Sequence, residues 1–147
     1  MKRSFTLICL LAIYCISCEE KTELNPDGFT EHRMDIEGNW KIQSVMQNGR
    51  DVTAYFDFES FKLDLNYEKG NPATFTLSGN AVPFAPATST GSWTFDDPVY
   101  PTEIRYSDGT KVRLAEPLLS MGNRLVLSVP MGCGTNTYLY TLNKDKK

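Results

Sequence analysis

The sequence predicts an all-β domain of eight antiparallel strands, closed as an up-and-down barrel, with a two-sheet β-sandwich as the alternative. Two observations support this fold class. Apolar and polar residues alternate in eight segments after residue 35, and a period of two is typical of half-buried strands. Turn-forming dipeptides, Asn48–Gly49 and Asp108–Gly109, separate strand-like segments as hairpin connections do.

Each of the eight segments places bulky apolar side chains on one face. In chain order these residues are Trp40, Ile42 and Met46; Phe61, Leu63 and Leu65; Phe75 and Leu77; Trp93 and Phe95; Ile104 and Tyr106; Val112 and Leu114; Leu125, Leu127 and Val129; and Tyr138, Tyr140 and Leu142. A bulky apolar side chain contributes about 1.5–3 kcal/mol when it is fully buried. We therefore expect a core that holds the domain together without a disulfide.

The connecting segments complete the predicted topology. Residues 51–58 (DVTAYFDF) favour one or two helical turns that would form a short lid over one end of the barrel, with Val52, Tyr55 and Phe56 on one face. The prolines between Gly79 and Gly91 disfavour a strand and predict a longer loop. Its apolar segment around Phe84 is expected either to dock a partner or to cover the barrel mouth.

The N-terminal region is typical of an exported protein. A basic start, Met1–Arg3, precedes the mostly apolar run Phe5–Ile16, which is too short for a membrane-spanning helix of about 20 residues and matches a secretory signal. We predict a signal peptide at 1–17, a lipidated N-terminus and flexible polar spacer at 18–34, and the barrel domain at 35–147.

Cys18 is the predicted site of lipidation. The segment Tyr14–Cys18 resembles a lipobox, because the small Ser17 precedes the cysteine and a polar stretch follows it. The resemblance implies cleavage before Cys18 and a membrane partner bound through acyl chains, each stabilised by about 0.8 kcal/mol per buried CH₂. The alternative is a general signal peptide that is cut elsewhere, with Cys18 as a spare thiol.

The acidic cluster Glu19–Glu23 bears on location. It resembles the export tags of surface lipoproteins, and its alternative is a solvated tether that happens to be acidic. Glu19 stands where an aspartate would favour the inner membrane. We therefore expect a lipid-anchored protein of the cell envelope, at the outer membrane or the cell surface.

Charge and residue chemistry argue against several function classes. The net charge of −3, which becomes −5 when Lys2 and Arg3 leave with the leader, predicts no nucleic-acid partner. The only histidine, His32, lies in the spacer, which disfavours Ser-His, Cys-His and multi-histidine zinc sites. Cys133 is interpreted as a buried or bend-associated thiol.

The carboxylate pairs Asp96–Asp97 and Asp57 with Glu59 are interpreted as surface charge. Asp96 and Asp97 are adjacent, so their side chains point to opposite faces of a strand. Asp57 and Glu59 are two residues apart, a spacing that does not bring side chains together on a helix. We predict no enzyme activity, no catalytic residue, no metal and no cofactor.

Gly38–Asn39–Trp40 at the start of the first strand looks like the G-x-W signature of lipocalins. Over residues 35–147, the chain resembles the lipocalin-like lipoproteins of gut-type Gram-negative bacteria. The resemblance implies that Gly38 and Trp40 close one end of the barrel. It also makes Lys144 the candidate for the basic residue that packs over this tryptophan in lipocalins.

Five inward aromatic residues are the candidate ligand-lining groups, because tyrosine hydroxyls inside a barrel suit a ligand with a polar group. They are Trp93, Phe95, Tyr106, Tyr138 and Tyr140. The alternative is that these rings fill the interior. The first functional hypothesis is a non-enzymatic binding lipoprotein for a small apolar molecule or glycan. The second is a packed-barrel module that binds a cell-envelope protein through its loops, especially 79–91.

Overall fold

The computed structural model describes residues 33–118, 123–132 and 135–145, and it confirms the predicted barrel. Its strands are β1 (Gly38–Gln47), β2 (Arg50–Asp51), β3 (Lys62–Glu68), β4 (Asn71–Ser78), β5 (Thr90–Phe95), β6 (Glu103–Tyr106), β7 (Lys111–Leu114), β8 (Arg124–Met131) and β9 (Asn136–Lys144). All pairings are antiparallel. Eight strands follow one another around the barrel, and β9 closes it by pairing with β1. The sandwich alternative is wrong because the strands belong to one closed sheet.

β2 is an extra strand that pairs only with the end of β1. The predicted Asn48–Gly49 turn connects β1 to β2, and Asp108–Gly109 connects β6 to β7. Asn48, Gly49 and Gly109 all have positive φ, which these residue types adopt at little cost.

Up-and-down topology places the connections at two rims of the barrel. The N-terminal rim comprises residues 33–37, 69–70, 96–102, 115–118, 123 and 145 of the described chain. The far rim comprises the residues between β1 and β3, the β4–β5 loop (79–89), the turn at 107–110, and residues 132 and 135.

The core lies inside the barrel, largely as the alternation predicts. In β3, Leu63 and Leu65 are buried while Lys62 is exposed. The prediction fails in β1, where Val45 and not Met46 is fully buried. A register shift between Ile42 and Ser44 against β9 reverses the faces after that point, as a β-bulge does.

The predicted helical lid at 51–58 is wrong. Within this segment the structure has one 3-10 turn, Thr53–Tyr55, and none of the three residues of the turn is buried. The Asp51 carboxylate accepts hydrogen bonds from the Thr53 N–H (2.9 Å) and the Thr53 hydroxyl (2.6 Å). Such local bonds compete with a helix. The chain is extended again at Phe56.

The segment before β1 is tied to the barrel by Tyr67. Its hydroxyl accepts the Ile36 N–H (3.2 Å) and donates to the Met34 carbonyl (3.0 Å). Burial of the ring raises the pKa of Tyr67 to about 12, against a smaller opposing effect of the Ile36 bond. Ile36 is buried, so the ordered domain includes residues just before β1.

The predicted signal peptide, the lipidation site Cys18, most of the spacer and Cys133 lie outside the described residues. Among the residues that are described, the structure has no helix long and apolar enough to cross a membrane.

Candidate functional site

The predicted ligand-lining residues face the barrel interior and pack in separate pairs: Trp93 with Phe95, Tyr106 with Phe75, and Tyr138 with Tyr140. Trp93, Phe95, Tyr106 and Tyr140 are buried, and Tyr138 is half-buried. The ring centroids of Trp93 and Phe95 are 5.2 Å apart, and those of Tyr138 and Tyr140 are 6.4 Å apart. These distances favour the filled-interior alternative over an open cavity around the five rings.

Trp93 is fully satisfied as a core residue. Its indole N–H donates to the carbonyl oxygens of Asn66 (3.3 Å) and Thr74 (3.1 Å). A register shift between Leu65 and Tyr67 interrupts the regular pairing of β3 with β4 at Asn66. The indole N–H therefore satisfies carbonyl groups at a local break in the sheet, and it is not free to donate to a ligand.

Tyr106 is different because its hydroxyl is buried and has no hydrogen-bond partner among the described residues. Its ring packs edge-on against Phe75, with centroids 4.9 Å apart. Burial raises the pKa of Tyr106, and the nearby Asp108 carboxylate raises it further, so the hydroxyl keeps its proton. A buried, unpartnered hydroxyl typically costs about 1–3 kcal/mol. It is the polar group that an interior ligand would satisfy.

The far rim is closed by the β4–β5 loop. Phe84 is buried between Phe61 and Tyr140, at ring-centroid distances of 5.5 Å and 4.8 Å. Val82 and Pro86 on either side are buried as well. Of the two roles expected for this apolar segment, the structure therefore favours covering the barrel mouth. Sequence periodicity gave no signal that Phe84 reaches the core.

Polar contacts hold this loop in place. The Ala87 N–H donates to the Asp108 carboxylate at 2.6 Å, and the Asn80 amide donates to the Asp57 carbonyl at 3.3 Å. Gly79 has a φ of +88°, and a Cβ at this position would overlap the carbonyl of Ser60. The loop is therefore closely fitted to the segment that precedes β3.

Ionised Asp108 stabilises the closed loop. The hydrogen bond from the Thr110 N–H lowers the pKa of Asp108, slight desolvation opposes this, and the Ala87 N–H lowers it further. A carboxyl with a depressed pKa contributes its full stabilisation above the ordinary value of about 3.9 and loses it as the pH falls through the lowered pKa. The hydrogen bond between Asp108 and the loop is thus at full strength at neutral pH.

We therefore expect the Ala87 amide to lose protection from hydrogen exchange, relative to its intrinsic rate, below about pH 4. Asp108→Asn keeps an oxygen acceptor but removes the charge. In this variant the protection of the Ala87 amide should be lower than in wild type at neutral pH and should hardly change with pH. Exchange measured by NMR between pH 3 and 7 checks this. Equal pH profiles in the two proteins would contradict the role of Asp108.

Exposed aromatic residues border the same rim. Tyr55 and Phe56 are 71% and 51% exposed, contrary to the prediction of a packed lid face. Phe56 stacks on Phe58 with centroids 5.4 Å apart, and Phe58 meets Tyr140 at 6.2 Å. A continuous series of rings therefore leads from the surface to the ring that contacts Phe84.

At the N-terminal rim, Trp40 is buried and its indole N–H donates to the Ile36 carbonyl at 3.0 Å. The Lys144 ammonium lies 5.7 Å from the centroid of the Trp40 ring. Gly38 has a φ of +134°, and a Cβ there would overlap the Lys144 side chain. Glycine at this position therefore lets Lys144 reach the tryptophan.

The acidic pair Asp96 and Asp97 serves the loop between β5 and β6. Asp96 is slightly desolvated, but hydrogen bonds from Thr102 and the Glu103 N–H outweigh this and lower the pKa of Asp96 to about 2. Asp97 accepts the N–H groups of Val99 and Tyr100. Both carboxylates order the loop.

Asp57 makes a similar local turn, because it accepts the Glu59 N–H at 3.3 Å. Across the described ranges, no group of three or more histidine, cysteine or acidic residues is placed to hold a metal ion. His32 and Cys133 lie outside those ranges.

Comparison of the chain with protein-family models, curated proteins and solved structures finds no significant match in any of the three. The lipocalin-like character predicted from Gly38–Asn39–Trp40 therefore stays a prediction.

Proposed function

We propose that this chain is a lipid-anchored, non-enzymatic binding protein of the cell envelope, at the outer membrane or the cell surface. Its ligand is a small apolar molecule with one hydrogen-bonding group, and it takes the place of the Phe84 ring at the far rim of the otherwise filled barrel. The observation that carries this proposal is the buried hydroxyl of Tyr106, which lies in an apolar interior and has no hydrogen-bond partner in the part of the chain that the structure describes. An apolar interior favours such a molecule over a glycan, the other ligand class predicted from the sequence.

Ligand entry requires Phe84 to leave its site at the far rim. Exposing this ring costs about 1.5–3 kcal/mol, and the Ala87 to Asp108 hydrogen bond adds to the cost. The ligand must supply this free energy, so its apparent affinity equals its affinity for the open form multiplied by the fraction of molecules whose loop is open. An apolar ligand regains the cost because it takes the place of the ring against Phe61 and Tyr140.

The acidic side chains support a binding role without catalysis. Asp96, Asp97 and Asp108 accept backbone N–H groups of their own or neighbouring loops. Their geometry stabilises turns, and we propose no catalytic residue and no cofactor among the described residues.

The test is native mass spectrometry of the full-length protein purified from its own host. Wild-type protein should carry a small molecule of defined mass. Tyr106→Phe should lower the affinity for that molecule roughly threefold to tenfold, because it removes one neutral hydrogen bond. In protein stripped of ligand, the same variant should raise the free energy of unfolding by about 1 kcal/mol, since the unsatisfied hydroxyl is gone. Opposite effects on binding and stability distinguish a ligand contact from a structural one.

Tyr100→Phe is the matched control, because Tyr100 is exposed at the opposite rim and should change neither quantity. A ligand-free Tyr106→Phe protein that is less stable than ligand-free wild type would contradict the proposal. Wild-type protein that consistently carries no small molecule would contradict it as well.

The second candidate function is an interaction module of an envelope complex, favoured by the exposure of Tyr55 and Phe56. Large exposed aromatic side chains are typical of protein contacts. If no small molecule copurifies, and Tyr55→Ser with Phe56→Ser releases an envelope protein that wild type retains, this second function replaces the first.

A further inference from the structure

We propose that the N-terminal rim of the barrel docks on the lipid bilayer through an apolar pocket beside Tyr100. The pocket has a volume of about 360 Å³ and lies between the β5–β6 loop and the residues that follow β7. Its apolar lining includes Met34, Val99, Tyr100, Leu114, Pro117 and Leu118. This inference rests on the proposed lipid anchor, and it concerns the rim opposite to the proposed ligand entrance.

The chemistry of the lining favours a hydrocarbon occupant. The two polar side chains in the lining, Thr102 and Glu116, both have partners. The Thr102 hydroxyl donates to Asp96 at 2.5 Å, and the Glu116 carboxylate pairs with Arg124 at 3.0 Å. The polar contacts of the lining are therefore already used within the domain, and an acyl chain would need none of them.

Tyr100 is presented to the outside on an ordered loop. Its side chain is 69% exposed, while its backbone N–H is held by the Asp97 carboxylate at 2.8 Å. An exposed tyrosine ring next to an apolar pocket suits the membrane interface, where the ring meets acyl chains and the hydroxyl stays among the headgroups. Asp96, Asp97 and Glu116 are also near, so apolar burial, and not attraction to anionic lipid, drives the contact.

The position of the anchor identifies the bilayer as the occupant. Met34 lines the pocket, and Arg33 is fifteen residues downstream of Cys18. A chain of fifteen residues reaches at most about 50 Å. An anchored Cys18 therefore holds this rim near the membrane at a high effective concentration, so that even a weak apolar contact is populated.

Geometry also separates the two rims. The far rim is one strand length away, roughly 20–25 Å along the barrel axis. Docking at the N-terminal rim would therefore hold Phe84 and the ligand entrance away from the bilayer.

The test uses the full-length, lipidated protein reconstituted in phosphatidylcholine vesicles whose acyl chains are brominated near the headgroup, so that they quench tryptophan on contact. Tyr100→Trp reports the N-terminal rim. Tyr55→Trp is the matched control, because the two tyrosines are 69% and 71% exposed and lie on opposite rims. The unsubstituted protein supplies the background from Trp40 and Trp93, which are both buried.

After subtraction of the background, we expect the fluorescence of the new tryptophan in Tyr100→Trp to fall about twofold, since interfacial rings lie against the upper acyl carbons. We expect no quenching of the new tryptophan in Tyr55→Trp. Equal quenching of both, or no quenching at position 100 in protein whose intact mass includes acyl chains, would overturn docking while the anchor stands. Absence of acyl mass would overturn the anchor and, with it, docking. The circular dichroism spectra of both variants verify that the barrel is folded.

Discussion

Replacing Cys18 with serine is expected to remove the protein from the outer-membrane fraction. A serine hydroxyl cannot form the thioether of the proposed anchor, so the acyl chains and their burial, about 0.8 kcal/mol per CH₂, would be lost. The outer-membrane share should fall roughly tenfold or more, as expected when a multi-chain anchor is removed. Density-gradient separation of envelope fractions and the intact mass of the product measure the two effects.

Cys9→Ser is the matched control for this experiment. Cys9 lies in the same predicted leader but outside the lipobox-like segment Tyr14–Cys18, and it would leave with the signal peptide. Its replacement should preserve both the location and the acyl mass. If Cys18→Ser protein were still found in the outer-membrane fraction with an unchanged lipid mass, both the anchor and the location would be wrong.

Replacing Trp40 with alanine is expected to lower the free energy of unfolding by about 3–5 kcal/mol. The ring is buried at the N-terminal rim, donates to the Ile36 carbonyl and packs under Lys144. Because small domains are stable by only about 5–15 kcal/mol, this variant should unfold at a much lower urea concentration. Urea titration followed by circular dichroism measures the change.

Two milder variants separate the contributions. Trp40→Phe keeps an aromatic ring but leaves the Ile36 carbonyl without its donor, at a cost of about 1–3 kcal/mol. Lys144→Met keeps the side-chain stem and removes the charge over the ring, at a cost of about 0.5–1 kcal/mol. If the free energy of unfolding fell less for Trp40→Ala than the roughly 1–3 kcal/mol expected for Trp40→Phe, Trp40 would not be needed to close this rim.

The strands were predictable because one face of each strand meets the core and the other meets water. Leu63 and Leu65 of β3 follow this rule. The rule fails where the backbone changes register. After the shift that follows Ile42, Val45 faces the core in place of Met46, and no local residue pattern signals this change. Register depends on the partner strand, which a single segment does not encode.

The lid prediction failed for a local reason. Tyr55 and Phe56 have the spacing of a shared helix face with Val52, but Asp51 bonds to Thr53 and limits the segment to one 3-10 turn. Apolar spacing was therefore weaker evidence than the side-chain hydrogen bonds available to the backbone.

The candidate site was predictable in composition and not in detail. The sequence places Tyr106 and Tyr140 inside the barrel, and both are there. Which hydroxyl lacks a partner depends on neighbours from other strands, and the burial of Phe84 depends on how the β4–β5 loop folds over the rim. Both are tertiary properties that alternation along one strand does not carry.

The pairing of β9 with β1 has a consequence at high local concentration of the protein. Open sheets expose a row of backbone donors and acceptors at which another copy can add a strand, and such addition leads to fibres. Within the described sheet, that row is consumed by closure, and the extra strand β2 offers only Arg50 and Asp51, both charged. Dense arrays of this protein should therefore resist polymerisation through their backbones.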